Sequence, residues 1–173
     1  MIEAEQVILV DTNDNPLGTM EKIEAHRKGL LHRAFSVFLL NDEGEMLIQQ
    51  RALGKYHSPG LWSNTCCSHP RPGEATISAA QRRLNEEMGV SAELKEVYAF
   101  TYRIDFDNGL TEHEFDHVFV GRFNQPPVIN PDEVADWKYI SLEALEADME
   151  RRPQLYTHWF KMVLQQLPLI GLI

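Results

Sequence analysis

The stretch "GEATISAAQRRLNEEMGV", Gly73 to Val90, is the clearest helix in the chain, and the rest is read outward from it. Gly73 and Glu74 open it, Ile77, Ala80, Leu84 and Met88 fall at helical spacing along one face, and Gly89 is placed to terminate it. Arg82, Arg83, Glu86 and Glu87 make charge pairs three and four residues apart, as a solvated helix face does. A functional reading stands beside that one. Mg²⁺ prefers a few carboxylates plus substrate oxygens to an all-protein cage, so one of these carboxylates is placed to reach an ion shared with phosphate.

Before the helix, Ala52 to Pro72 is rich in Gly and Pro and without periodicity, and loops of that length inside a compact domain are usually functional. Upstream, "RAFSVFLLN", "DEGE" and "MLIQQR" read as a hairpin of branched and aromatic residues. "VILVD" (Val7 to Asp11) reads as a short buried strand, "TNDNPLG" as turn chemistry, and "EKIEAHRKG" as a short polar helix or turn carrying Lys22 and His26. Beyond the helix, "ELKEVYAFTYRIDF", "DNG" and "LTEHEFDHVFVGRF" predict a second hairpin with Asn108-Gly109 at its turn. "NQPPVINPDEV" is a loop, "ADWKYI" a last strand, "SLEALEADMERR" a helix capped by Ser141, and "PQLYTHWFKMVLQQL" an amphipathic segment opening on proline. Strands and helices mix without a regular alternation, so the expected class is α+β, one domain over residues 1–173.

With 26 acidic against 16 basic residues the net charge is −10, which disfavours non-specific binding to nucleic acid or to an anionic membrane. An anionic substrate would require basic residues to be gathered locally, and Arg51, Lys55 and Arg83 are candidates for that field. No apolar run approaches a membrane span, and "MIEAEQVILVD" lacks the basic and apolar regions of a signal peptide. The expectation is a soluble cytoplasmic protein acting on a small molecule, with no obligate protein partner.

"NTCCSHP", Asn64 to Pro70, holds both cysteines of the chain. Adjacent cysteines rarely bridge each other, and two cannot build a disulfide framework, so the thiols are read as reduced. The bland reading is two small buried residues; the sharp one is a reactive thiol beside a metal-binding imidazole, His69. His26 and His32 are two further imidazoles. In "TEHEFDH", Glu112 and Glu114 lie two apart on a strand and share a face, while His113 points the other way. Two carboxylates on one face repel unless a cation or proton sits between them. Three imidazoles and two carboxylates suit Mn²⁺ or Zn²⁺; the alternative is an exposed strand face with scattered histidines.

These residues carry a resemblance. The helix is similar to the Nudix box, G-x5-E-x7-R-E-U-x-E-E-x-G-U with U aliphatic: Glu74, Arg82, Leu84, Glu86, Glu87, Gly89 and Val90 fit. Ser68 stands where the box has its first glycine, and Arg83 stands where it has a carboxylate, which argues against ordinary Nudix hydrolysis. Over nearly its whole length the chain resembles type I isopentenyl diphosphate isomerase, through "MEKIEAH", "LLHRAFS", "QRALGK", "PGLWSNTCCSHP" and "YR…EHE". The resemblance implies a Nudix-type fold of mixed β-sheets flanked by helices. It implies one Mn²⁺ or Zn²⁺ held by His26, His32, His69, Glu112 and Glu114, and a Mg²⁺ on the substrate diphosphate met by Glu87 and the backbone carbonyl of Cys67. Lys22, Arg51, Lys55 and Arg83 would surround the diphosphate. Cys67 and Glu114 would be the acid/base pair, Tyr102 would assist at the double bond, and Trp159 would close the pocket. Cys66 receives no role, and the spacing from His26 to His32 is one residue shorter than the family pattern. A Nudix hydrolase and a non-catalytic diphosphate-binding module are the competing readings.

Overall fold

The computed structural model describes residues 4–167, so the ends of the expected 1–173 domain lie outside the described residues. Its strands are β1 (Gln6–Val10), β2 (Pro16–Glu21), β3 (His32–Leu40), β4 (Glu45–Arg51), β5 (Trp62–Ser63), β6 (Cys66–Ser68), β7 (Lys95–Asp105), β8 (Thr111–Arg122) and β9 (Val134–Ser141). They join in one branched mixed sheet, with helices α1 (Lys22–Lys28), α2 (Thr76–Met88), α3 (Leu142–Arg151) and α4 (His158–Gln166) around it.

Strand β3 is the axis. It is buried on both faces, which is why "AFSVFLL" reads as an apolar run rather than an alternation. Its alternate side chains serve two cores: Phe35, Val37 and Leu39 pack with Leu84 and Met88 of α2, while Phe38 packs with Phe160 and Val163 of α4. β3 pairs in parallel with β8 from His32↔Glu114 to Leu40↔Arg122. β7 and β8 form the expected hairpin, with Gly109 at φ 82° in the turn and Tyr102 opposite Glu114. These two registers fix one end of the candidate site.

The structure corrects several local expectations. β3 and β4 pair only beside their turn, at Leu39↔Leu47 and Leu40↔Met46. They part because Thr65 enters between them: Leu39 N–H donates to its hydroxyl (2.9 Å), its hydroxyl donates to Leu47 O (2.6 Å), and Gln49 Nε2 donates to Thr65 O (2.8 Å). The segment Ala52 to Pro72 is therefore not structureless, since it contributes β5 against β4 and β6 against β3. Part of "TNDNPLG" is strand, because β2 begins at Pro16 and pairs with β1. α2 begins at Thr76, after Gly73 and Glu74, and Ile77 is exposed; the buried face is Ala79, Ala80, Leu84, Glu87 and Met88. Gly89 ends the helix as expected, with φ 61° and its N–H donating to Asn85 O. No helix among the described residues is long and apolar enough to cross a membrane.

Candidate active site and metal centre

His26 faces inward from α1, His32 opens β3, His69 follows β6, and Glu112 and Glu114 lie on one face of β8; all five are buried. Despite the short spacing between them, His26 and His32 meet with ring centroids 4.9 Å apart. Ligand atoms of His26, His32, His69 and Glu114 all lie within 4.8 Å of one another.

The hydrogen bonds show why a cation fits here. His26 Nδ1–H donates to Lys22 O (2.7 Å) and His32 Nδ1–H donates to Leu30 O (2.9 Å), which leaves each Nε2 as a bare lone pair in the neutral ring. His26 Nε2 is buried without a partner, and His32 Nε2 lies 3.3 Å from Glu114 Oε1, an acceptor. Burial, followed by the charges of His69 and His32, pushes the His26 imidazole down to about 4, and burial also lowers His69, so these rings are neutral and ligand-competent at pH 7. Burial and the neighbouring Glu114 push the Glu112 carboxyl well above the ordinary range. For Glu114 burial pushes upward too, but His69 and His32 outweigh it and hold the carboxyl well below that range. The Tyr102 hydroxyl has one proton and touches both Glu112 Oε1 and Glu114 Oε2 (2.7 Å), so one of the three groups must carry an extra proton or a cation must take its place. Neutral imidazoles beside clustered carboxylates are a donor set for a borderline divalent ion.

On the other side of the cleft stands Cys67. β6 is three residues long, and its pleat sends the two cysteines apart. Cys67 packs with the α4 cluster, where Trp159 Nε1–H donates to its Sγ (3.1 Å). Burial pushes its thiol up to about 12, so it holds its proton at neutral pH. Cys66 points into the α2 core and donates its thiol to Glu87 Oε2 (3.1 Å). That contact is the structural role the sequence did not supply.

Lys22, Arg51, Lys55 and Arg83 line the same cleft as Cys67, Glu114 and Trp159, so the local basic cluster exists. It is partly neutralised, which the sequence reading did not anticipate. Lys22 Nζ pairs with Glu5 (2.7 Å), while Glu133 bonds Lys55 and lies 3.3 Å from Arg83 Nη2. Arg83 also reaches Glu86 (2.8 Å) and Glu87 (3.4 Å). Arg51 stacks over the Trp159 ring at 5.1 Å and donates to the carbonyl of His57 (3.1 Å). His26, His32 and Glu87 sit behind the cleft wall rather than in it.

Sequence reasoning missed Glu5, Glu133 and His57, all of which line the cleft. An acidic residue opposite a distant cation has no local signature. His57, in "KYHSPG", did have one: a histidine inside the long loop already singled out as functional.

The NUDIX domain model matches residues 30–160. An "Isopentenyl-diphosphate Delta-isomerase 2" of Aromatoleum aromaticum is 53% identical over 163 residues, covering 94% of this chain and 86% of that protein. An "Isopentenyl-diphosphate Delta-isomerase" of Pectobacterium atrosepticum is 52% identical over 163 residues, covering 94% and 91%. Among solved structures, DR0079 of Deinococcus radiodurans superposes with a TM-score of 0.77 at 21% identity over 93% of this chain and 98% of that one, a likeness of fold alone. Identity of about half over nearly the full length carries more than the shared fold does, and the chain belongs to the NUDIX domain family and, within it, to the isopentenyl-diphosphate Delta-isomerases.

Proposed function

We propose that this chain interconverts isopentenyl diphosphate and dimethylallyl diphosphate. One juxtaposition carries the reading: the protonated Cys67 thiol and the Glu114 and Tyr102 pair share a cleft with four cationic side chains, Lys22, Arg51, Lys55 and Arg83. The double bond of isopentenyl diphosphate is unactivated. A proton added to its terminal carbon leaves a tertiary carbocation, and loss of a proton from the carbon on the diphosphate side completes the shift, so one proton enters and one leaves. One group must give a proton and another must take one, and Cys67, which holds its proton, and Glu114, whose carboxylate accepts from the Tyr102 hydroxyl (2.7 Å), fill those places. Water would capture the cation, so the pocket must be dry. Trp159, 2% exposed, closes one wall, and the faces of Trp159 and Tyr102, which line the cleft, would each stabilise the cation by about 0.5 to 2 kcal/mol.

Lys22, Arg51, Lys55 and Arg83 hold the diphosphate. His26, His32, His69, Glu112 and Glu114 would hold one Mn²⁺ or Zn²⁺, which supplies a fixed charge that orients the Glu114 carboxyl and sets its acidity. Mg²⁺ would accompany the diphosphate at Glu87 and the Cys67 carbonyl. Free thiols fit a reducing cytoplasm, and the reading takes residues 1–173 as one domain acting on a small molecule without nucleic acid, membrane or protein partner.

The test is proton NMR of isopentenyl diphosphate in D₂O with Mg²⁺, wild type beside Cys67→Ala. Deuterated dimethylallyl diphosphate from wild type, falling by roughly 10²- to 10⁴-fold in the variant, is the expected result. Release of inorganic phosphate or diphosphate would instead mean that the Nudix helix hydrolyses.

A further inference from the structure

The metal reading leaves one imidazole unexplained. His57 lies in the loop after β4, only 6% exposed, wedged between the stacked ring of Phe106 (4.9 Å) and the edge of Trp159 (5.4 Å). A histidine buried among aromatic rings ordinarily satisfies both nitrogens, because a buried polar atom left unmade costs about 1 to 3 kcal/mol. His57 does not. Its Nδ1 is buried without a partner, and its Nε2 comes to 3.3 Å from Glu112 Oε2, which itself has no hydrogen-bond partner. The third such atom nearby is His26 Nε2. Ligand atoms of His26, His57 and Glu112 all lie within 4.8 Å of one another, a second donor set beside that of His32, His69 and Glu114.

Buried ligand atoms that converge without hydrogen-bond partners, each neutral imidazole offering one lone pair, are what a cation site looks like when its ligands are preformed. Both donor sets contain His26, and the Nδ1 of His26 is spent on Lys22 O, so Nε2 is the only lone pair it can offer. One lone pair holds one ion, so the two sets are two sides of a single donor shell.

We propose that His57 is a fourth imidazole ligand of the divalent metal centre, on the side where Glu112 faces the aromatic wall of the cleft. This rests on the metal reading of the site but not on the isomerase reading, and it changes what the centre binds: an additional nitrogen donor favours Zn²⁺ or Co²⁺ over Mn²⁺.

The experiment loads the full-length chain, stripped by chelation, with ¹¹³Cd²⁺ and counts the histidine rings whose protons correlate with the cadmium. Four coupled imidazoles, including His57, are expected; cadmium coupled to only three, with His57 silent, overturns the proposal. No bound cadmium would overturn the metal reading as a whole, which separates the two failures. As a second measurement, Co²⁺ titration of His57→Ala and His57→Gln should show about 10- to 100-fold weaker binding and a displaced visible absorption band. Phe106→Leu, which removes the stacked ring but keeps the imidazole, should leave both near wild type. Equal affinity and an unchanged band in both His57 variants would show that the residue only packs.

Discussion

Glu133→Gln should tighten diphosphate binding. Glu133 sits between Lys55 and Arg83, with side-chain exposures of 26%, 18% and 17%, and so fills with carboxylate oxygens a place where two cations would otherwise face the cleft. Burial pushes its carboxyl upward, but the Lys55 hydrogen bond and the Lys55 and Arg83 charges outweigh that and hold it below the usual range, so it is ionised at neutral pH. An arriving diphosphate must approach this negative charge and compete with it for the same cations. At a separation of about 6 Å and an effective dielectric constant of about 20, a unit charge pair is worth roughly 3 kcal/mol. Partial exposure reduces this, since exposed pairs measure about 0.2 to 1 kcal/mol, so a net gain of about 1 to 1.5 kcal/mol is expected. That corresponds to roughly a 5- to 12-fold lower KM for isopentenyl diphosphate and a similar fall in the Ki of inorganic pyrophosphate. Both effects should shrink as salt is raised, because the term is screened. Steady-state kinetics at fixed Mg²⁺ and two ionic strengths measures this. A KM that rises in the variant, together with a raised Mg²⁺ requirement, would refute the reasoning and make Glu133 a holder of the substrate's metal rather than its competitor.

Three further outcomes are expected. Trp159→Phe keeps a ring over Arg51 but removes the N–H donated to Cys67 Sγ, so kcat should fall about 2- to 12-fold, the equivalent of one hydrogen bond at about 0.5 to 1.5 kcal/mol, with KM nearly unchanged by the same kinetic assay. Gly89→Ala places a Cβ 2.4 Å from Val128 O at a backbone φ of 61°, so denaturant unfolding should show a loss of about 1 to 3 kcal/mol. Asp148 accepts from Tyr156 (2.6 Å) and Arg152 (2.6 Å), which hold its carboxyl below the ordinary value; its contribution is therefore present above that value and lost as pH falls through the folded one. Asp148→Asn should be less stable than wild type at neutral pH, and the gap should close below about pH 4 in urea midpoints measured across pH.

What could be read from the chain was local. The β7–β8 hairpin announced itself by alternation around Asn108-Gly109, and α2 by its spacing up to Gly89. Glu112 and Glu114 were placed on one face by strand periodicity alone, and burial bears that out. The parallel pairing of β3 with β8 had no such signal, since His32 and Glu114 are 82 residues apart and nothing in either segment names its partner. Strands of two or three residues, β5 and β6, are too short to show a period, and they are held by the Thr65 bonds rather than by propensity. Ile77 misled because helical spacing identifies a face, whereas the packing partner decides how far along the helix that face is covered.

The same limit explains the two cysteines. From the sequence they are neighbours with interchangeable chemistry, and only the resemblance distinguished them. In the fold they occupy successive positions of β6, which pairs with β3 through Val37↔Cys66 and Ser36↔Cys67. Val37 belongs to the α2 core, and Ser36 donates to Asp116 beside the carboxylate face of β8. A pleated strand must send adjacent side chains to opposite faces, so the register that buries Cys66 against Glu87 is the register that delivers Cys67 to Trp159 and the cleft. A slip of one residue would exchange them. The bonds that forbid the slip are those of Asn64, whose amide donates to Val37 O (3.0 Å) and to Cys66 O (2.9 Å), together with those of Thr65. The "NT" preceding the cysteines is therefore what selects the thiol that faces the cleft, and the cleft-facing cysteine and its positioning are written in the same few letters.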